Sequence, residues 1–246
     1  FGTVRGMDLV LVRHGQPLWV EDGRGVLDPA LTALGRRQAE RLAETWPEAD
    51  RPTRLWVSSA RRARETAAPL AERFALEPEI HPGLVELKLP AAFEGAPAAQ
   101  VGKIIHAARH RGPEAWWQGP EGREPFADFH ARVTETLEHA LAQVGLRAPS
   151  REPTEVGPGW RLRDPRWTQT APELDERVVF VGHGGTNAVV ATHLLGFDPT
   201  PWIWETFLTS HTGVTRLKAR RLMGARVFGL KTHGELAHLE PADFSY

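Results

Sequence analysis

Two histidines in this chain each follow a short apolar run and are each followed by glycine. They are His14, which comes directly after Arg13, and His183. A third apolar run ends near residue 58 and leads into two further basic residues, Arg61 and Arg62. A neutral imidazole can attack phosphorus, and an arginine fork binds phosphate oxygens through two parallel hydrogen bonds. Together these residue types predict a site for a phosphoryl group.

The apolar runs that precede these residues are typical of buried strands that end in a turn. In an open α/β sheet the ligand crevice lies beyond the carboxyl ends of the strands, so residues that follow different strands converge there. The sequence predicts strands over residues 8–13, 54–58, 178–182, 212–217 and 226–230. It predicts helices over residues 33–46, with Thr32 as the N-cap, and over 60–74, 98–109 and 186–195.

This alternation of strands and helices predicts a three-layer α/β/α sandwich with a mostly parallel central sheet. A chain of 246 residues can form one large domain, and we expect a single domain over residues 1–246. Two stretches, about 87–124 and 147–175, are rich in proline and tryptophan and fit no plain connection. We expect both to be irregular insertions over the active-site face.

The composition excludes several classes of function. The chain has no cysteine, which excludes a disulfide framework, a thiol nucleophile and a thiolate metal site. Its 30 Lys and Arg against 31 Asp and Glu lack the basic excess of a general nucleic-acid binder. No run approaches the roughly 18 apolar residues of a membrane span, and the first residues lack the apolar run of a secretory signal. We therefore expect a cytoplasmic protein that binds neither nucleic acid nor membrane.

Five short motifs occur along the chain. They are LVRHG at residues 11–15, DPALT at 28–32, SSARRARETA at 58–67, Glu86 followed by FEG at 93–95, and VGHGG at 181–185. In type and order these motifs resemble those of the histidine phosphatase superfamily, also called phosphoglycerate-mutase-like proteins. The resemblance implies a phosphoryl-transfer enzyme with the layered α/β fold.

The resemblance also implies a role for each matching residue. His14 would be the nucleophile that forms a phosphohistidine, and Glu86 would protonate the leaving oxygen. The residues that would hold the phosphoryl oxygens are Arg13, Arg62, His183 and Gly184. This scheme requires no metal and no cofactor.

We therefore predict a phosphomonoesterase that hydrolyses a small-molecule phosphate ester through His14. Pro17 and Val20 stand where phosphoglycerate mutases carry a small hydroxyl residue and an asparagine, which counts against mutase activity. Gln16 or a backbone amide could supply the phosphate contact that these two positions lack. The alternatives are a mutase-like phosphotransferase and a catalytically silent module that binds phosphate.

Aromatic residues in the two irregular stretches are candidates for the crevice wall. We assign Trp116, Trp160 and Trp167 to substrate binding, and such walls would favour a bulky or partly apolar phosphoester. Trp202 and Trp204 lie outside both stretches and are interpreted as core residues or as contacts in a homodimer.

Several of these assignments have simpler rivals. His14 could be a buried structural histidine, and Glu86 could be an ordinary surface carboxylate. Arg61 would replace Arg62 if the register of the motif were shifted by one residue.

Two further patterns point to other chemistry. The glycine-rich turn after residue 182 is similar to a dinucleotide-binding turn, but Asn187 occupies the place of its third glycine. His106 and His110 lie four residues apart on a predicted helix, which could bring two imidazoles to one metal ion. No third ligand accompanies them, so a solvent-exposed helix face is the favoured interpretation.

Overall fold

The computed structural model describes residues 6–110, 112–119, 121–150, 154–157, 160–162 and 164–246, without the side chains of residues 108, 109, 154–157 and 160–162. Its strands are β1 Met7–Arg13, β2 Val20–Glu21, β3 Arg24–Gly25, β4 Arg54–Ser58, β5 Glu79–His81, β6 Leu146–Arg147, β7 Thr154–Gly157, β8 Trp160–Leu162, β9 Thr168–Gln169, β10 Glu176–Gly182, β11 Val214–Leu222 and β12 Ala225–Glu235. Its α-helices are α1 Ala33–Thr45, α2 Arg61–Phe74, α3 Ala98–Arg109, α4 Pro113–Gln118, α5 Phe126–Gln143, α6 Gly184–Leu194 and α7 Ile203–Thr206.

Six strands form the central sheet, in the order β12-β11-β1-β10-β4-β5. The pairs β1 with β10, β10 with β4 and β4 with β5 are parallel, while β11 and β12 close one edge in the antiparallel sense. Strands β1, β4 and β10 are neighbours and parallel, so their carboxyl ends meet at the same edge of the sheet.

Each face of the sheet carries its own core, because successive strand residues point to opposite faces. Leu9 and Leu11 of β1 pack into a core with α5 and α6. Val10 and Val12 of the same strand pack into a second core with α1 and α2. A strand that is buried on both faces reads as a continuous apolar run, which is why the sequence shows no alternation there. The two cores confirm the predicted three-layer sandwich.

The longest helix, α5, has no counterpart among the predicted elements. It begins after Pro125, which directly follows in sequence the predicted insertion over residues 87–124. Its buried residues include Phe126, Phe129, Val133 and Leu137, whose spacing of three and four residues is typical of an amphipathic helix. The helix fills the core on the α6 side of the sheet.

The two irregular stretches are built differently. Residues 87–124 contain the helices α3 and α4, and residues 147–175 contain β7, β8 and β9. Trp167 lies in the second stretch and exchanges two backbone hydrogen bonds with Arg226 of β12, at 2.7 and 2.8 Å. No helix in the described part of the chain combines the length and the apolar character needed to cross a bilayer.

Candidate active site

The sheet brings the two predicted histidines together. His14 is the first residue after β1 and His183 the first after β10, and these parallel strands pair with Arg13 opposite Gly182. The backbone N–H of His14 donates to the carbonyl of Gly182 at 2.9 Å. The two imidazole ring centroids lie 5.2 Å apart, with the ring planes inclined by 63°. Residues 169 positions apart in sequence therefore share one site.

His14 is held in a form that can act as a nucleophile. Its Nδ1 lies 2.8 Å from the carbonyl oxygen of Gly15. A carbonyl only accepts hydrogen bonds, so Nδ1 carries the hydrogen and Nε2 keeps its lone pair. Burial, followed by the charges of His183, Arg62 and Arg13, holds the pKa of His14 well below its usual value. The imidazole is therefore neutral at neutral pH.

Glycine at position 15 is required by the packing around His14. A Cβ on Gly15 would lie 2.5 Å from the carbonyl oxygen of Gly35 in α1, closer than a real Cβ approaches backbone. The N–H of Gly15 donates to the hydroxyl of Thr66 in α2 at 2.9 Å. Contacts with α1 and α2 thus fix the turn that carries the nucleophile.

His183 is fully buried at the start of α6. Its Nε2 lies 2.7 Å from the hydroxyl of Ser58, the last residue of β4. Its Nδ1 is buried and has no hydrogen-bond partner among the described residues. Burial, followed by the charges of Arg62 and Arg13, holds the pKa of His183 well below its usual value. A neutral ring whose Nε2 accepts from Ser58 has a hydrogen on Nδ1 to donate.

Two guanidinium groups flank the histidines. Arg62 is buried, and its guanidinium lies over the ring of Trp19, 4.8 Å from the ring centroid. Nη1 of Arg62 lies 3.7 Å from a carboxylate oxygen of Asp28. Nη1 of Arg13 donates to the carbonyl of Thr209. Burial lowers the pKa of both guanidiniums, and the nearby Glu86 opposes that shift. The Nε atoms of both arginines are buried without a partner among the described residues.

The neighbouring Arg61 is oriented differently. It is exposed, and its Nε donates to Glu65 one turn further along α2 at 2.7 Å. Arg62, not Arg61, lines the crevice with His14. The structure therefore favours the predicted register of the arginine motif.

Glu86 lies against the start of α6. Its Oε2 accepts from the N–H of Gly185 at 2.8 Å, and its Oε1 accepts from the N–H of Leu87 at 2.9 Å. A Cβ on Gly185 would lie 2.6 Å from Oε1, so only glycine admits the carboxylate at this distance. The first N–H groups of a helix have no partner within the helix and can bind a side-chain oxygen. The carboxyl group is thereby held in the same crevice as His14.

These side chains line a cavity of about 820 Å³. Arg13, His14, Arg62, Glu86 and Gly184 all belong to its lining. Apolar side chains from separate parts of the chain form much of the remaining wall, among them Trp19, Leu87, Ile105, Trp204, Phe207 and Leu208. The insertion over residues 87–124 contributes to this wall through residues 87–91 and α3.

None of the four residues predicted to contact the substrate is among the described residues that line the crevice. The Gln16 side chain accepts from the hydroxyl of Thr32 at 2.8 Å, and Gln16 is not among the described residues that line the crevice. Trp116 is not among the described lining residues, and its ring lies 6.0 Å from that of Trp204. The side chain of Trp160 lies outside the described residues.

Trp167 departs most clearly from its predicted placement. It is only 1% exposed, and its ring packs edge-on against Phe228 and His193 at centroid distances of 5.7 and 6.1 Å. Because its backbone pairs with β12, the side chain is directed into the core instead of the crevice. The structure does not bring this residue to the site.

Sequence reasoning missed a third histidine. The ring of His211 lies 5.6 Å from that of His14, and its Nε2 accepts from Nη2 of Arg13 at 3.4 Å. Its Nδ1 lies 2.9 Å from the hydroxyl of Ser245. Burial, with the charge of Arg13, lowers the pKa of His211 to about 3. The position of His211 directly before a predicted closing strand was a possible signal. Because that strand is antiparallel to β1, its first residues, and not its last, lie at the active-site edge.

The histidine pair on α3 does not form a larger cluster. His106 and His110 are exposed, and their Nε2 atoms lie 3.2 Å apart. Among the described residues, no group of three or more potential ligands could hold a metal ion. His106 lies on a solvent-exposed face of α3, and His110 is the exposed residue that follows the helix.

The buried histidines predict a loss of stability in weak acid. Burial lowers the pKa of His211 to about 3 and that of His238 to about 4, whereas histidines in the unfolded chain bind protons below about pH 6.5. The unfolded state then takes up more protons, so the free energy of unfolding falls as the pH falls from 6.5 towards 4. Each histidine contributes at most about 1.4 kcal/mol per pH unit. Urea unfolding at a series of pH values measures this slope.

The variant His238→Gln provides the control for this experiment. Glutamine can still donate to the hydroxyl of Thr212, which lies 2.9 Å from Nε2 of His238, but it does not titrate. We expect a shallower pH slope for this variant between pH 6.5 and 4. A slope equal to that of the unmodified protein would contradict the assignment of the proton uptake to this residue.

Known proteins share both the sequence pattern and the fold. A family model described as "Histidine phosphatase superfamily (branch 1)" matches residues 9–146, more than half of the chain. An uncharacterized protein of Mycobacterium tuberculosis is 34% identical over 166 residues, which cover 62% of this chain and 75% of that protein.

Two mycobacterial structures match nearly the whole chain. A structure described as mycobacterial hydrolase 2 has a TM-score of 0.68 at 27% identity and covers 97% of this chain and 95% of its own. Mycobacterial glucosyl-3-phosphoglycerate phosphatase has a TM-score of 0.65 at 28% identity, with 94% of this chain and 99% of that chain covered. These likenesses extend beyond the family-model match to the part of the chain that contains His183.

Proposed function

Because the chain belongs to the histidine phosphatase superfamily, we propose that it is a metal-independent phosphomonoesterase that works through a phosphohistidine on His14. One observation carries the proposal: three buried donors without a partner among the described residues belong to side chains that surround His14. They are Arg13 Nε, Arg62 Nε and His183 Nδ1. An unpaired buried donor costs about 1–3 kcal/mol, and phosphoryl oxygens would remove that cost.

The first step forms one bond to phosphorus and breaks another. Nε2 of His14 attacks the phosphorus of the ester, and the ester P–O bond breaks as the N–P bond forms. Arg13, Arg62 and Nδ1 of His183 donate to the three phosphoryl oxygens, where the charge of the loose transition state accumulates. The two guanidinium groups offer the charge neutralisation that metal ions supply in other phosphoryl-transfer enzymes, and the neutral ring of His183 adds a hydrogen bond.

Glu86 handles the proton in both steps. In its protonated form the carboxyl gives its proton to the leaving oxygen, which departs as the alcohol. The carboxylate then accepts a proton from the water that attacks phosphorus, the N–P bond breaks, and inorganic phosphate and neutral His14 are produced. The N–H groups of Gly185 and Leu87 hold the carboxyl in orientation.

An assay with an aryl phosphate in the presence of EDTA tests the proposed function. We expect p-nitrophenyl phosphate to be hydrolysed between pH 5 and 7 at a rate that EDTA does not change. A rate that is lost with EDTA and restored by a divalent metal would overturn metal independence. Faster transfer to an added alcohol than to water would support a phosphotransferase instead.

Replacing Glu86 with glutamine separates its role as an acid from its role in packing. Glutamine retains an oxygen that can accept from Gly185, but it has no acidic proton. We expect Glu86→Gln to lower kcat for alkyl phosphates by about 10²–10⁴-fold, because an alkoxide leaves poorly without a proton. The loss should be much smaller for p-nitrophenyl phosphate, whose leaving group needs little assistance.

Glu114→Gln, on the exposed first turn of α4, is the matched control and should leave both substrates unaffected. Equal losses on the alkyl and the aryl ester would exclude Glu86 as the proton donor and leave it a structural role.

A further inference from the structure

The crevice is much larger than a phosphoryl group requires. Its volume of about 820 Å³ lies within the range of sites that hold drug-sized ligands, about 300–1,000 Å³. The phosphoryl end involves Arg13, His14, Arg62 and His183, and the first three of these belong to the lining. The rest of the cavity is available to the alcohol part of the ester.

The wall around that space is apolar. Trp19 lies directly before β2 and Leu27 shortly after β3, while Leu87 and Leu89 follow Glu86 and Trp204 belongs to α7. Three of the large apolar lining residues are also unusually exposed, with Trp19 at 40%, Ile105 at 42% and Leu208 at 62%. A contiguous exposed apolar surface of this kind marks a binding site for an apolar group.

The remaining charges do not favour a second anion on the substrate. Apart from the two arginines, the one basic side chain among the described lining residues is Lys88, which is exposed. The lining also holds the carboxylates Asp28, Glu86 and Glu205. With the two arginines on the phosphoryl group and Glu86 as the proton donor, a carboxylate or second phosphate on the alcohol part would meet one cation, Lys88, and two carboxylates, Asp28 and Glu205.

Arg123 is the side chain that would favour an anionic ester instead. Its Nε and Nη2 are buried without a partner among the described residues, and the charges of Glu86 and Glu124 act on it. However, Arg123 is not among the described residues that line the cavity. Its positive charge is offset by the carboxylates of Glu86 and Glu124.

From this distribution we infer that the substrate is a phosphate monoester of a large, apolar, uncharged alcohol, such as a long-chain alkyl or polycyclic alcohol. The inference rests on the proposed phosphomonoesterase function and adds the class of the leaving group. Phosphoserine and 3-phosphoglycerate, which carry a carboxylate close to the ester, are expected to be poor substrates.

A series of n-alkyl phosphates from propyl to decyl tests the inference, with phosphate release measured below the micelle concentration. Beyond propyl the pKa of the leaving alcohol is nearly constant, so changes in kcat/KM report contact with the wall. We expect kcat/KM to rise about two- to fourfold for each added methylene until the cavity is filled. The decyl ester should exceed phosphoserine and 3-phosphoglycerate by more than 100-fold.

Two variants test whether the apolar wall contacts the alkyl chain of the substrate. Trp204→Ala and Leu208→Ala should each lower the decyl-to-propyl ratio of kcat/KM by about three- to tenfold. Leu208 is exposed, so its variant tests the wall even if loss of Trp204 disturbs the fold. Trp202→Ala is the matched control, since Trp202 is exposed and is not among the described lining residues. It should keep the ratio of the unmodified protein.

The outcomes separate this inference from the proposed function. If propyl phosphate and p-nitrophenyl phosphate are hydrolysed but kcat/KM does not change with chain length, the apolar class is overturned and the phosphatase stands. A preference for phosphoserine or 3-phosphoglycerate that Arg123→Ala removes would assign an anionic substrate instead. Hydrolysis of no ester in either series would overturn both.

Discussion

Replacing His14 with alanine is expected to lower kcat for ester hydrolysis by at least about 10⁴-fold, because the variant has no group to accept the phosphoryl group. The neutral imidazole, whose Nδ1 is occupied by the carbonyl of Gly15, is the proposed nucleophile, and water would have to attack the ester directly in its absence. Steady-state hydrolysis of p-nitrophenyl phosphate measures the loss. Rapid acid-free quenching with radiolabelled ester should show a phosphoprotein in the unmodified chain that is stable to alkali and labile to acid.

The control for this variant is His106→Ala, which removes an exposed imidazole on α3. It should retain full activity and give the same phosphoprotein. Activity of the unmodified magnitude in a folded His14→Ala variant would refute the phosphohistidine mechanism. A phosphoprotein that forms on another residue would do the same.

Replacing Arg62 with alanine is expected to lower kcat/KM by about 10³–10⁵-fold, the range found for arginines that stabilise transferring phosphoryl groups. Arg62 is only 4% exposed, and its Nε has no partner among the described residues, which supports its proposed contact with the phosphoryl group. Arg62→Lys should recover only part of the loss, because an ammonium cannot form the two parallel hydrogen bonds of a guanidinium. Kinetics with p-nitrophenyl phosphate measure all variants.

Arg61→Ala is the matched control in the adjacent position. Arg61 is exposed and paired with Glu65, and surface ion pairs of this kind contribute about 0–1 kcal/mol. Its removal should change kcat/KM by less than about threefold. Equal losses at the two positions would contradict the assignment of the phosphate contact to Arg62. Circular dichroism of each variant separates loss of contact from loss of fold.

The fold could be predicted from the sequence where burial acts locally. Strands β1 and β10 are buried on both faces, so their residues form continuous apolar runs that mark them without any tertiary information. The same reasoning failed for α5, whose apolar residues are as regular but follow a proline-rich stretch. The spacing of Phe126, Phe129 and Val133 is enough to indicate a helix. Its packing against α6 depends on the sheet, which is formed by segments distant along the chain.

The sequence alone determined that His14 and His183 share a site. Each directly follows a strand, and in a parallel sheet the ends of neighbouring strands meet at one edge, so the pairing follows from local pattern and topology together. The same logic placed Arg13, and Arg62 after β4, at that edge.

Only the tertiary structure decided which other side chains reach the crevice. His211, which precedes the antiparallel strand β11, lies beside His14, while Trp167 is drawn into the core by its pairing with β12. The walls come from Trp19 and Trp204, which are far apart in sequence and which no local pattern distinguishes from core tryptophans. The physical reason is that strand burial is encoded within a few consecutive residues, whereas the direction of a loop side chain depends on contacts with segments distant along the chain.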